Sequence, residues 1–378
     1  MIIDLMKTFM SSQTVMGKRF RKDLERRNRQ MPREMESSKN MMSQNQLKSG
    51  GHPYIFVIGA TATAVIDPAN WQLIVIAPGI VPGPTGFLVD NHYLDQSRRL
   101  WSVSSATQPV MPWEAPAMGR VSVWDARSFR NEKTIGLGQN VVNTVGLTPD
   151  GKFAVVPIST ANKLNVYDTS SFEQVATISV GARPWDMMVS ADGKYCCEPD
   201  MDSDWLTIVD PTTWKVSGKI PTGEGTAPFM VTISPNSKFA SVEGAGHHGG
   251  IYNGATGPPA VPTGKGFTNT YVDLTSKSVI KTLPLDFLAV WDEFTPNGKY
   301  DFIFGPLAAK TVVVDTGTYE VTETVKLQST PSYITPDPNG KYVYASVKAG
   351  LQVIDTSSLQ IVNTVPTGGV IGTPLVII

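Results

Sequence analysis

The chain has 378 residues, of which 41% are hydrophobic, so it can bury a substantial core and is not a wholly disordered chain. Its two cysteines exclude a scaffold of several disulfides and a four-cysteine zinc site, and no apolar run approaches the about 18 residues of a spanning helix. The formal net charge is only −1, and 33 Gly and 28 Pro predict a chain rich in turns.

The first fifty residues differ in composition from the remainder, and residues 1–50 are called the N-terminal extension. They hold eleven Lys or Arg against five Asp or Glu, and eight of the fourteen Met. We interpret the extension as a disordered basic tail, as an arm that folds onto a partner or an acidic surface, or as sequence upstream of the natural start. No secretory signal is recognisable, because charged and polar residues interrupt the stretch before Lys18.

A sequence unit recurs seven times between residues 51 and 378. Its marker is an Asp that follows two or three β-branched or aromatic residues and precedes a turn rich in Thr, Ser and Pro. Successive markers are 58, 43, 42, 63, 42 and 40 residues apart, a spacing typical of a repeat fold. The markers are Asp67, Asp125, Asp168, Asp210, Asp273, Asp315 and Asp355.

A second signal lies between five pairs of adjacent markers. Asp-Gly or Asn-Gly between two apolar runs predicts a tight β-hairpin, and four of the five units carry it. Together with the marker, each unit predicts four antiparallel strands per about 42 residues, which is the blade of a β-propeller. The sequence therefore predicts an all-β, seven-bladed β-propeller over residues 51–378.

The two ends of this region complement each other. Residues 372–378 match the first strand of a unit, whereas residues 52–60 look like a second strand whose first strand is missing. We expect the C-terminal strand to pair into the first blade and to close the ring, which removes two exposed sheet edges.

The repeated motifs resemble a known family. The DGKY and NGKY turns, the VYD and VID markers followed by Thr or Ser, and a Gly-x-x-Pro before the inner strand are similar to YVTN-type seven-bladed propellers. Related propellers are the haem d1 domain of cytochrome cd1 and the heavy chain of methylamine dehydrogenase. The resemblance implies the fold and favours a periplasmic or extracellular location. It implies no single activity, because this fold hosts binding, scaffolding and redox roles.

Two long loops are candidates for function. Residues 104–119 and 244–266 both extend connections between second and third strands, in blades 2 and 5. These connections emerge at one end of a propeller, which is called the top face, and loop residues there carry function in many propellers. We expect the two loops to meet over the channel as a lid that contributes Trp113 and Glu114 to a ligand site.

Metal ligands are a further possibility. His247 and His248 lie in the second of these loops, and His92 lies in the inner strand of blade 2. Imidazole is a common ligand of copper and other transition metals, so the three histidines form a candidate metal site. The alternative is an exposed histidine pair that only covers the channel.

Blade 4 contains two further patterns. Asp200, Asp202 and Asp204 have the alternating spacing of a calcium loop, and the alternative is a solvated acidic turn. Cys196 and Cys197 lie in the second strand, where alternation predicts that they face opposite sides of the sheet as small buried residues.

Equivalent positions at the start of the inner strands should surround the channel mouth. Trp185 precedes one of these positions and Asp292 follows another, so an aromatic ring adjoins a carboxylate twice, an arrangement that suits a small polar or cationic ligand. The alternative is ordinary channel packing with water. The equivalent residues are Asp90, Thr144, Asp186, Met230, Trp291 and Tyr333.

Two functions remain open. The first is a binding or scaffold propeller that docks a protein partner through its top face or through the N-terminal extension. The alternative is a redox or metal-dependent propeller enzyme, or a subunit of one, with a cofactor in the channel. Four histidines and no recognisable catalytic triad favour the first, and the acidic composition after residue 50 argues against a nucleic-acid partner.

Overall fold

The computed structural model describes residues 54–58, 62–78, 93–94, 99–104, 119–125, 131–138, 144–246, 266–305, 308–370 and 373–377. These residues form 28 strands and one 3-10 turn at Ser159–Ala161. The strands are β1 (Tyr54–Ile58), β2 (Ala62–Asp67), β3 (Gln72–Pro78), β4 (Tyr93–Leu94), β5 (Arg99–Ser104), β6 (Gly119–Asp125), β7 (Asn131–Gly138), β8 (Gly146–Leu147), β9 (Phe153–Ile158), β10 (Lys163–Asp168), β11 (Gln174–Ser179), β12 (Met188–Val189), β13 (Cys196–Asp200), β14 (Trp205–Asp210), β15 (Lys215–Pro221), β16 (Pro228–Ile233), β17 (Phe239–Gly244), β18 (Phe267–Asp273), β19 (Ser278–Leu285), β20 (Trp291–Phe294), β21 (Tyr300–Phe304), β22 (Lys310–Asp315), β23 (Glu320–Lys326), β24 (Tyr333–Pro336), β25 (Tyr342–Val347), β26 (Gly350–Asp355), β27 (Gln360–Val365) and β28 (Thr373–Ile377).

The described strands form seven four-stranded antiparallel sheets, so the chain is a seven-bladed β-propeller, as the sequence predicts. Blades 2 to 7 each take four consecutive strands, from β4–β7 to β24–β27. Blade 1 has the order β28-β1-β2-β3, with Tyr54 opposite Ile377 and Ile58 opposite Thr373. Within the described ranges, no helix has the length and apolar content that crossing a membrane requires.

The marker aspartates build the turns between third and fourth strands. Asp168 is typical: its Oδ1 accepts the backbone N–H of Ser170 at 2.8 Å, and its carbonyl accepts the N–H of Phe172 at 2.8 Å. Phe172 then adopts a left-handed conformation with φ of 60°. Asp suits this position because its short carboxylate bonds the backbone two residues further on. The same turn recurs at five other described markers, Asp67, Asp210, Asp273, Asp315 and Asp355.

The left-handed residue of each described turn packs against the preceding blade. In blade 4, for example, Trp214 meets Phe153 of blade 3 edge to face, with ring centroids 5.2 Å apart. Blade 5 has Lys277 there instead, and its Nζ donates to the Ser217 carbonyl of blade 4 at 2.5 Å. The turns thus connect each blade to its neighbour. The other aromatic pairs are Trp71–Tyr342, Phe172–Trp101 and Tyr319–Phe239.

The core lies between the blades, where apolar side chains of the middle strands alternate between the two sheet faces. Cys196 packs with blade 3 residues, whereas Cys197 packs with blade 5 residues, so the predicted opposite orientation is confirmed. Both thiols are buried, and burial raises the pKa of Cys196 to about 12. They are therefore core residues in the thiol form.

Candidate functional site

The predicted ring positions lie at one end of the blades. Trp291 begins β20 and pairs with Phe304, the last residue of β21. Tyr333 likewise begins β24 and pairs with Ser346 near the end of β25. The inner strands therefore start at the same end as the connections between second and third strands, which is the top face.

Several predicted site residues lie outside the described residues, as do most of loops 104–119 and 244–266. The lid and the histidine metal site stay predictions. Where residues are described, no group of three or more His, Cys, Asp or Glu side chains is arranged to hold a metal ion. The residues outside the description are Asp90, His92, Trp113, Glu114, His247 and His248.

Trp291, Glu293 and Tyr333 come together at the top face and are called the aromatic–acid site. Alternation along β20 places Trp291 and Glu293 on the same face of blade 6, the face toward blade 7. Tyr333 of blade 7 donates its hydroxyl to Glu293 Oε1 at 2.9 Å, and its ring centroid lies 5.8 Å from that of Trp291. All three residues are partly exposed, although the carboxyl end of Glu293 itself is enclosed.

The protonation of Glu293 depends on its surroundings. Burial of the carboxyl raises its pKa to about 8, and the hydrogen bond from Tyr333 partly opposes this shift. Glu293 is therefore largely neutral at pH 7 in the free protein. A positively charged group placed next to it would favour the ionised form, so binding of a cation there would release a proton.

Asp186 is close to the same end but turns toward blade 5. Its Oδ2 accepts the backbone N–H of Val231 at 3.0 Å. Burial raises the pKa of Asp186 to about 6, against several hydrogen bonds that lower it. Its neighbour Trp185 is only 9% exposed and packs with Met201 and Phe229, so this pair does not present an aromatic–carboxylate surface.

Asp292 lies on the opposite face of β20 from Trp291. It is 2% exposed and faces blade 5, where it adjoins the buried carboxyls of Glu243 and Asp301. The structure thus separates Trp291 from Asp292 and brings Trp291 together with Glu293, which the sequence argument missed. The sequence did contain a sign of this arrangement. Glu293 places a carboxylate at an inner-strand position where the other described units have Gly146, Met188, Thr232 and Thr335.

The three aspartates of the acidic loop of blade 4 have different partners. Asp200 ends β13, is fully buried and accepts the hydroxyl of Thr207. Asp202 pairs with Arg183 at 2.9 Å, and Asp204 accepts two backbone N–H groups of the connection to blade 5 at 2.8 and 2.9 Å. A solvated turn is therefore the wrong description of Asp200, and the calcium interpretation stays a prediction.

The fold places this chain among β-propellers. No family model and no curated protein matches it. Among solved structures, it is similar to a putative 6-phosphogluconolactonase from Bacteroides uniformis, with a TM-score of 0.61 and 13% identity over 86% of this chain and 99% of that one. It is also similar to Kuenenia stuttgartiensis hydrazine synthase, with a TM-score of 0.53 and 18% identity over 74% and 81% of the two chains. These likenesses support the propeller fold, and the YVTN type stays a prediction.

Proposed function

We propose that this chain is a binding propeller whose aromatic–acid site receives a cationic side chain of a protein partner. The observation that carries the proposal is Glu293, a partly exposed residue whose carboxyl lies on the same sheet face as Trp291 and bonds to Tyr333. Within the described part of the chain, Glu293 forms a hydrogen bond to Tyr333 but no ion pair. A lysine or arginine from outside would supply the missing charge.

The surroundings of Glu293 favour such a ligand on two counts. An ammonium or guanidinium group is attracted to the face of Trp or Tyr, and this attraction grows when water is excluded. The hydroxyl of Tyr333 also holds one carboxyl oxygen in place, so less side-chain freedom is lost on binding. The second oxygen and the ring faces are then the contacts offered to the partner.

The proposal predicts a pH dependence with a definite sign. The pKa of Glu293 is about 8 in the free protein, and a bound cation stabilises the ionised carboxylate. Affinity for a cationic group should therefore rise with pH, by up to about tenfold per unit, and level off above about pH 8.

The test uses short peptides as probes. Calorimetry at pH 8 compares peptides that carry Arg, Lys or Asp, against the full chain and its Glu293→Gln variant. We expect the Arg or Lys peptide to bind, the Asp peptide not to bind, and Glu293→Gln to weaken binding by about tenfold or more. Glu173→Gln removes an exposed carboxyl of blade 3 and should leave affinity unchanged. Equal affinity of the parent protein and Glu293→Gln would refute the site.

Two other possibilities are docking through the N-terminal extension and a cofactor-bearing enzyme. Both depend mainly on residues that the structure does not describe. Metal analysis and an absorption spectrum of the purified protein test the alternative directly. A stoichiometric transition metal or a chromophore would favour a redox role over the binding role proposed here.

A further inference from the structure

A second group of acidic residues lies between blades 5 and 6, away from the aromatic–acid site. Glu243 of β17 faces blade 6 on the same sheet face as Ser241, which pairs with Tyr271 of β18. Asp292 and Asp301 face back from blade 6, because they pair with Ile303 and Phe294 on one face of that sheet. The three carboxyls of Glu243, Asp292 and Asp301 are called the interblade acid cluster.

The cluster is fully enclosed and short of hydrogen-bond donors. Glu243 and Asp301 are 0% exposed and Asp292 is 2% exposed. Asp301 Oδ2 accepts the hydroxyl of Tyr271 at 2.6 Å and that of Ser241 at 3.4 Å. The other carboxyl oxygens, both of Glu243, both of Asp292 and Oδ1 of Asp301, have no donor in hydrogen-bonding geometry. The hydroxyls of Ser241 and Thr232 lie near Asp292 and partly oppose the rise of its pKa. Ionised carboxylates without donors or a counter-charge are strongly unfavourable in such a place.

A proton resolves this conflict. A protonated carboxyl has one O–H donor, so neighbouring carboxyls can satisfy one another when some of them are neutral. The three groups are close enough to influence one another: burial raises the pKa of Glu243 and of Asp301 well above the ordinary value, and repulsion from Asp292 adds to both shifts. Burial also raises the pKa of Asp292.

We propose that the interblade acid cluster holds protons at neutral pH and joins blades 5 and 6 through hydrogen bonds between carboxyl groups. The contact between these two blades then depends on protonation. Loss of the protons at alkaline pH would leave like charges buried against each other and would loosen this boundary before boundaries that hold no buried carboxyl.

The residues around the cluster support the inference that it binds protons. Thr232 of β16 and Asn269 of β18 add polar groups, and Tyr271 adds a titratable hydroxyl whose pKa is raised by burial. Asp186 and Glu293 are further carboxyls that interact with Asp292, and each adds negative charge when ionised. The described residues include no group of three or more side chains arranged to hold a metal ion. The experiment below therefore also tests whether a cation binds to the cluster in place of protons.

The sign of the pH effect follows from linkage. Each cluster carboxyl has a raised pKa in the folded protein, so the folded state holds protons that the unfolded chain releases above about pH 4. The stabilisation is therefore complete below about pH 4 and is lost as the pH rises toward the folded-state pKa. Each group raises the unfolding equilibrium constant by up to about tenfold per pH unit in that range.

The experiment measures denaturant unfolding of the full chain between pH 4.5 and 8.5. The parent protein should lose stability as the pH rises. Near pH 4.5, the Asp292→Asn and Glu243→Gln variants should be as stable as the parent protein or less stable. As the pH rises, the unfolding constant of each variant should fall relative to that of the parent, by up to about tenfold per pH unit. Glu173→Gln should follow the parent curve. An Asn or Gln variant with an unchanged slope would overturn the proposal.

Two measurements on the parent protein keep the proposal testable if the variants do not fold. Hydrogen exchange, corrected for the intrinsic pH effect, should show β17 and β20 losing protection between pH 6 and 8 before β5 and β6 do. Addition of Ca²⁺, Mg²⁺ or Mn²⁺ at pH 7 should leave the melting temperature unchanged. Uniform protection at both pH values, or a clear rise in melting temperature with one of these ions, would overturn the proposal.

Discussion

Asp292 and Glu293 are consecutive in β20, yet their carboxyl groups face different blades. Asp292 faces blade 5 and is buried, whereas Glu293 faces blade 7, bonds to Tyr333 and is partly exposed. The alternation of a single strand thus directs one carboxyl into the proposed binding site and the other into the interblade acid cluster. Substitution of Glu293 should weaken binding, whereas substitution of Asp292 should change stability and, through the loss of its repulsion, also lower the pKa of Glu293.

The hydroxyl of Tyr333 should set the pH at which the aromatic–acid site gains its charge. Its hydrogen bond lowers the pKa of Glu293, so Tyr333→Phe should raise that pKa above its present value of about 8. The pH midpoint for binding an Arg or Lys peptide should move upward, as measured by calorimetry across a pH series. An unchanged midpoint would mean that this hydrogen bond does not govern the carboxyl.

Removal of the last strand should destabilise the first blade. β28 pairs along the whole of β1 and also contacts β24 and β25 of blade 7. Deleting Thr373–Ile378 leaves β1 unpaired on one side and uncovers the buried Ile55 and Val57. We expect a loss of at least about 3 kcal/mol in the free energy of unfolding. Removal of Ile378 alone is the control, and unchanged thermal unfolding of the longer deletion would contradict the pairing.

The turn aromatics should contribute to stability through the neighbouring blade. Trp214 is half-buried against Phe153, so Trp214→Ala should cost about 2 kcal/mol, less than the roughly 3–5 kcal/mol of a fully buried Trp. Urea unfolding gives the value, and Trp214→Phe should recover much of the loss. Similar losses for both variants would show that the ring contact is not what stabilises this turn.

The two cysteines should be unreactive in the folded protein. Both thiols are buried on opposite faces of one sheet, and the pKa of Cys196 is raised to about 12. A thiol-specific chromogenic reagent should therefore find no reactive group in the native protein and two after denaturation. Reaction of either thiol under native conditions would contradict the burial, and none after denaturation would indicate a disulfide.

The sequence was sufficient where the structure depends on local contacts. Asp168 forms its turn with residues two to four positions away, and the Gly151, Gly193, Gly298 and Gly340 turns all have a φ near 70°. Such signals recur from unit to unit because each of these turns is contained within one unit. The number of blades and the orientation of the two cysteines followed from these local patterns.

The buried acids depend on residues far along the chain. Asp301 occupies the position of Ala154, Cys196 and Ala240 in other units, which marks it as unusual in the sequence. Its hydrogen-bond partner Ser241 lies 60 residues earlier, on the neighbouring blade. Only the packing of one sheet face on another brings such residues together, so repeat spacing could not reveal the cluster. Asp200 was misjudged for a related reason, because spacing does not show that β13 continues through it.

The packing of each turn aromatic on the preceding blade has a consequence for biosynthesis. A ribosome delivers the blades in order, so blades 2, 3 and 5 receive the aromatic side chains of Phe172, Trp214 and Tyr319 only when the next blade has emerged. Blade 1 is the exception, because its Trp71 packs on Tyr342 of blade 7 and its β1 waits for β28. The first blade therefore acquires its full set of contacts last, and an incomplete nascent chain keeps an open β1 edge until translation reaches the final strand.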